Sequence, residues 1–89
     1  MDTALRMRIK EVIVSSLRLT IEPTSIDDDI PLFGEGLGLD SIDALELVLE
    51  LERTFGVQIT DEQLGTRVLR SVRTIAEFVN ASKARAGDA

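Results

Sequence analysis

The stretch from Ser41 to Thr54 constrains the fold more than any other, because it carries more apolar residues than one helix face can bury. Leu47, Leu51 and Phe55 recur every fourth residue, with Ala44 and Val48 beside them, and these are assigned to a core-facing stripe. Ile42, Leu45 and Leu49 follow at spacings of three and four on a neighbouring strip. A helix apolar over so wide an arc is either buried all round or keeps one strip for a partner. Asp40, Asp43, Glu46, Glu50 and Glu52 ring the second strip, which reads as an interaction surface; burial of both strips in one core is the alternative. The helix is predicted from about Ser41 to Thr54, ending before Gly56. Asp40 or Ser41 can cap its start, and Asp43 and Glu46 suit the positive end of its dipole.

Three further helical patterns accompany it. Leu5, Ile9, Val12, Ile13 and Leu17 form one stripe over residues 3–18, with Asp2 or Thr3 as cap and Pro23 as the stop. Thr60-x-x-Gln63 fits a capping box for a short helix that Gly65 weakens and that ends near Leu69. The last helix begins after Ser71 or at Thr74 and buries Val72, Ile75, Ala76, Phe78 and Val79. The link Gly56-Val57-Gln58-Ile59 places Val57 and Ile59 in the core. The fold class is all-α: a small four-helix bundle, three main helices and one short, with a long loop between the first and second. Residues 1–82 are expected to form the domain and 83–89 a frayed tail.

The long connection, residues 20–40, holds Pro23, Pro31, Gly34, Gly36 and Gly38 and the run Asp27-Asp28-Asp29. Its apolar residues, Ile26, Ile30, Leu32, Phe33, Leu37 and Leu39, predict that it is pinned into gaps between helices rather than disordered. Ser25-x-x-Asp28 resembles a capping box for a single helical turn. The aspartate run lacks the ligand spacing, glycine and closing glutamate of an EF-hand loop, and no metal site is assigned.

The chain of 89 residues has no cysteine and no histidine. A thiol nucleophile, a disulfide and a Ser-His-Asp triad are therefore outside its means, and the chain reads as no enzyme. Net charge is −6, unevenly spread. From Glu22 to Glu62 twelve acids face the single base Arg53, while the ends together hold four acids and nine bases. Such a middle repels nucleic acid and anionic membrane and attracts basic protein surfaces, although a solvated face kept for solubility is the bland alternative. No apolar run approaches the ~20 residues of a membrane span, and no cationic segment leads into an apolar one at the start. A cytoplasmic monomer is expected.

At Gly38-Leu39-Asp40-Ser41-Ile42-Asp43 the chain resembles the acyl carrier proteins, the phosphopantetheine-binding carrier domains. Asp-Ser and an aliphatic residue at the head of the second helix carry the likeness. It extends through Glu46-Leu47-Val48, Glu50-Leu51-Glu52 and Phe55-Gly56-Val57, with Leu32-Phe33 upstream and Val72-Arg73-Thr74-Ile75 downstream. The resemblance implies that Ser41 carries 4′-phosphopantetheine, transferred from coenzyme A by a separate phosphopantetheinyl transferase. It further implies that acyl intermediates of fatty acid, polyketide or related biosynthesis ride as thioesters on the arm. A peptidyl or aminoacyl carrier is the alternative within the family, and a cofactor-free acidic helical adaptor the alternative outside it. Helix N-termini suit phosphate, while Asp40 and Asp43 oppose it, so these two are assigned to docking with Ile42, Leu45, Glu46 and Leu49. Acyl-transfer and condensing enzymes with basic patches are the implied partners. Arg53, and Arg67 and Arg70 in the third-helix region, depart from the family's acidic pattern and leave open a specialised rather than a housekeeping carrier.

Overall fold

A computed structural model describes residues 3–34 and 36–88. Four helices follow in order: α1 (Thr3–Ser16), α2 (Ser41–Phe55), α3 (Glu62–Val68) and α4 (Val72–Asp88), with a 3-10 turn at Pro23–Ser25 between α1 and α2. The bundle is all-helical among the described residues, apart from a single parallel bridge between Phe33 and Leu39. α1 packs on both α2 and α4, and the short α3 packs on α4.

The periodicities place the core well. Leu5, Ile9 and Ile13 of α1 meet Leu47 and Leu51 of α2 and Val72, Ile75, Ala76 and Val79 of α4, all buried. Phe55, Ala44 and Val48 are only half-buried against that cluster, so the inner stripe of α2 has two buried anchors and a partly open flank. Val57 is buried and Ile59 partly so, as their link position predicts.

The helix ends differ in detail from the sequence reading. α1 stops at Ser16, short of residue 18 and well before Pro23. The chain leaves it through Arg18 in the left-handed region (φ 54°), and Leu19 N–H reaches back to the Val14 carbonyl at 3.0 Å. Asp2, one of the two caps proposed for α1, lies outside the described residues. α2 ends at Gly56, whose φ of 68° is the left-handed cap that glycine accepts without strain. α3 is capped by Asp61, whose side chain accepts from Leu64 N–H at 2.7 Å, and not by Thr60. At the head of α4, Ser71 N–H donates to Thr74 Oγ1 at 2.9 Å and Thr74 N–H to Ser71 Oγ at 3.3 Å, so both residues named for that start share the cap. The helix continues to Asp88, beyond the boundary expected at residue 82.

The connection from 17 to 40 is built into the bundle. Ile26, Leu32 and Leu39 are buried, and Ile30, Phe33 and Leu37 partly so. Its short helical turn begins at Pro23 rather than Ser25, since the fixed φ of proline suits a first helical position. Leu32 N–H donates to the Arg70 carbonyl at 3.1 Å and Arg73 N–H to the Asp28 carbonyl at 2.9 Å, joining the loop to the α3–α4 turn. Between Pro31 and Leu39 the chain folds back sharply: Leu37 N–H reaches Pro31 O at 3.0 Å, and a Cβ at Gly36 would overlap that same carbonyl.

The aspartate run is part of this attachment. Asp28 receives Lys10 Nζ at 2.8 Å and Arg6 Nε at 3.3 Å, both from α1. Asp29 receives Arg73 of α4 in a two-pronged pair, Nη2 to Oδ2 at 3.0 Å and Nε to Oδ1 at 2.5 Å. Asp27 Oδ1 accepts from Asp29 N–H at 3.1 Å. Hydrogen bonding from Lys10, with the charges of Lys10, Arg6 and Arg73, holds the Asp28 carboxyl below its ordinary value against the opposing effect of burial. The Arg73 guanidinium does the same for Asp29.

Leu47→Ala is expected to lose about 2–5 kcal/mol in urea unfolding, as buried leucines do, and Leu49→Ala to stay within about 0.5 kcal/mol. Equal losses would refute the division of α2 into two strips. Asp28→Asn is expected to melt a few degrees below the parent at neutral pH, in keeping with about 1 kcal/mol or less for partly exposed ion pairs. Because the folded carboxyl titrates below its unfolded value, that contribution is present above about pH 4 and lost as pH falls through the depressed folded value. Melting curves of the two proteins should therefore converge in acid.

Candidate functional site

The site is set by how the chain enters α2. Leu39 is buried and bridged to Phe33, and its N–H donates to the Leu32 carbonyl at 3.1 Å, so the residue before the helix cap is fixed in the core. Asp40 follows in extended geometry (φ −111°, ψ −175°) and caps the helix. Its Oδ1 accepts from Ile42 N–H and Asp43 N–H, both at 3.0 Å, and Asp43 Oδ2 accepts from Asp40 N–H at 3.1 Å. The two carboxylates form a reciprocal capping box.

This box decides between the two caps the sequence offers, in favour of Asp40, and corrects a second reading. Ser41 does not cap α2; its hydroxyl is exposed and makes no hydrogen bond among the described residues. The first-turn N–H groups of Ile42 and Asp43 are already occupied by Asp40, so they do not form a cradle for phosphate. Asp40 and Asp43, named from sequence for the docking face and for the start of the helix, do hold that start.

Beyond Ser41 the second strip of α2 is open, with Ile42, Leu45 and Leu49 at 69%, 61% and 57% exposure. Glu46 lies exposed beside them. The acidic ring is smaller than the sequence implies. Glu50 is paired with Arg53, Nη2 to Oε1 at 2.8 Å, and Glu52 Oε2 accepts from Ile59 N–H at 2.9 Å, tying α2 to the link that follows it. Of the ring, Glu50 alone is paired with a base among the described residues, and Asp40, Asp43 and Glu46 are the unneutralised acids at the head of the exposed strip.

A groove opens from Ser41 between α2 and α3, a feature that sequence reasoning missed. Its volume is about 620 Å³. Phe33, Leu39, Ala44, Leu45, Val48, Ile59, Gly65 and Leu69 give it apolar walls, while Asp40, Ser41, Asp61, Glu62 and Thr66 stand on its border. Ala44 and Val48, assigned from sequence to the core-facing stripe, are only half-buried and line this groove. An exposed, unbonded hydroxyl beside an apolar groove suits a covalent arm that ends in an apolar group, and the residues present fit such an attachment.

The comparisons with known proteins bear on the same segment. The family profile described as the phosphopantetheine attachment site matches residues 8–80. The acyl carrier protein of Aster yellows witches'-broom phytoplasma (strain AYWB) is 39% identical over 72 residues, covering 81% of this chain and 84% of that protein. The acyl carrier protein of Onion yellows phytoplasma (strain OY-M) matches to the same extent. That of Thermosynechococcus vestitus (strain NIES-2133 / IAM M-273 / BP-1) is 32% identical over 73 residues, covering 82% and 84%.

Asp40→Ala is expected to lose about 0.5–2 kcal/mol of unfolding free energy, as removal of a helix cap does, while Ser41→Ala stays within about 0.5 kcal/mol. Urea titration of the two variants checks the assignment; the reverse order would make Ser41 the cap.

Proposed function

The chain belongs to the phosphopantetheine-binding acyl carrier protein family, and from that premise we propose that Ser41 is the residue to which 4′-phosphopantetheine is joined. The observation that carries this reading is the placement of Ser41. Its hydroxyl is exposed at the head of α2, free of hydrogen bonds among the described residues, beside an apolar groove and inside the matched segment.

Members of this family are carriers of acyl groups. When bound, the prosthetic group supplies the thiol that holds the acyl group as a thioester, which is chemistry a chain without cysteine cannot supply itself. This chain's residues position and present. The Asp40–Asp43 box and the buried Leu39 hold the first turn of α2, so the Ser41 hydroxyl is offered from a rigid element. The groove beside Ser41 shelters the acyl chain from water.

Ile42, Leu45 and Leu49, edged by Asp40, Asp43 and Glu46, form the docking face for the transferase and for acyl-transfer and condensing enzymes. Apolar contact at the centre and charge at the rim are the usual anatomy of a transient interface. Their basic patches are steered to the acidic rim. No described helix is long and apolar enough to cross a membrane.

Incubation with coenzyme A and a broad-specificity phosphopantetheinyl transferase, followed by intact mass measurement, is expected to add one phosphopantetheinyl group to the parent chain and none to Ser41→Ala. An unchanged parent mass, or equal gain in the variant, would overturn the assignment.

A further inference from the structure

Gly65 stands in the interior of a seven-residue helix, where glycine is among the least favoured residues. Its backbone does not call for glycine, since the glycines in the left-handed region are Gly34, Gly38 and Gly56. Packing does not call for it either. A Cβ at Gly65 would meet only the Ile59 Cγ2 atom, at 3.5 Å, an ordinary van der Waals contact. Gly65 N–H and C=O make regular helical bonds, to Asp61 O at 3.0 Å and from Leu69 N–H at 2.9 Å, which any residue would keep. What distinguishes the position is that Gly65 and Ile59 both line the groove that opens from Ser41.

We propose that Gly65 is a specificity-determining residue: its missing side chain sets the depth of the groove, and so the longest acyl chain the protein shelters. The proposal rests on the reading that the acyl group on the Ser41-linked arm enters this groove. The wall that a side chain at 65 would face is aliphatic, through Ile59, so the space is matched to a straight hydrocarbon segment rather than to a polar group. A methyl at this position displaces about one methylene of cargo. A larger side chain must either occupy the groove or push Ile59 aside.

The test uses the full chain loaded by a broad-specificity transferase from butanoyl-, octanoyl-, dodecanoyl- and hexadecanoyl-coenzyme A, with hydroxylamine cleavage of the thioester as the readout. In the parent protein, cleavage is expected to slow with chain length and then level off where the groove is full. Gly65→Ala is expected to melt higher than the parent when unloaded, since it removes a helix-interior glycine, and to level off at a shorter chain. Beyond that length its thioesters should be cleaved faster, by about fourfold for each methylene no longer sheltered. Gly65→Leu should move the limit further, and if it fails to fold, as judged by circular dichroism, the alanine variant decides.

An unchanged length profile in Gly65→Ala overturns the role of Gly65 and leaves the groove reading intact. A lower melting temperature for unloaded Gly65→Ala also overturns it, by showing that packing requires the glycine. A parent profile without any length dependence removes the groove reading and this proposal together, while the attachment at Ser41 stands, because the loaded protein exists to be measured.

Discussion

The burial of Leu32 and Leu39 is the constraint on which the rest of the molecule depends. These two residues bracket a tight reversal of the chain, and both are withdrawn from water, Leu32 completely. Between them, Gly36 allows the backbone to pass against the Pro31 carbonyl. With its two ends fixed in the core, the loop delivers Asp40 to the start of α2 in one place and one conformation. Were the loop free, the helix would still form, since Leu47 and Leu51 bury it, but its first turn would fray and the hydroxyl at its head would have no defined position. The polar bonds from Leu32 to Arg70 and from Arg73 to Asp28 then join this entry to the α3–α4 turn.

Much of this was legible in the sequence, and the misses have physical causes. The two strips of α2 could be separated because the helical period assigns residues to faces, and Leu47 and Leu49 indeed differ from full burial to 57% exposure. The apolar residues of the long loop were legible for a simpler reason: oily side chains in a polar connection need somewhere to go. Caps were misplaced by one residue, as at Thr60 and Asp61, because both can accept the bond and the choice depends on backbone angles that composition does not encode. Arg18 is a harder case, since a left-handed arginine is disfavoured locally and is imposed by the packing on either side.

The acids illustrate a second limit. From the sequence, the middle of the chain reads as one negative field. In the fold it divides: Asp28 and Asp29 neutralise Arg6, Lys10 and Arg73, Glu50 takes Arg53, and Glu52 binds backbone. The Arg73–Asp29 pair spans 44 residues, a separation at which no local pattern can signal partnership. What remains for outside partners is the smaller group around the head of α2. The groove was invisible for a related reason, since a void is defined by the residues that fail to fill it, and Gly65 signals only as a weak helix former until its neighbours are known.

The closing of the Asp40–Asp43 box has one more consequence. With the Ile42 and Asp43 amides occupied, a phosphate on Ser41, as proposed above, would find no nest in those two groups. On the attachment proposed at Ser41, the arm's own length would set its reach, and the Ile42 and Asp43 amides would not fix its direction. A tether of that kind can sweep between a resting berth along the protein's flank and another enzyme's interior without first breaking a set of bonds at its root. Loose anchorage at the pivot and rigidity immediately behind it are complementary requirements for passing a cargo from hand to hand.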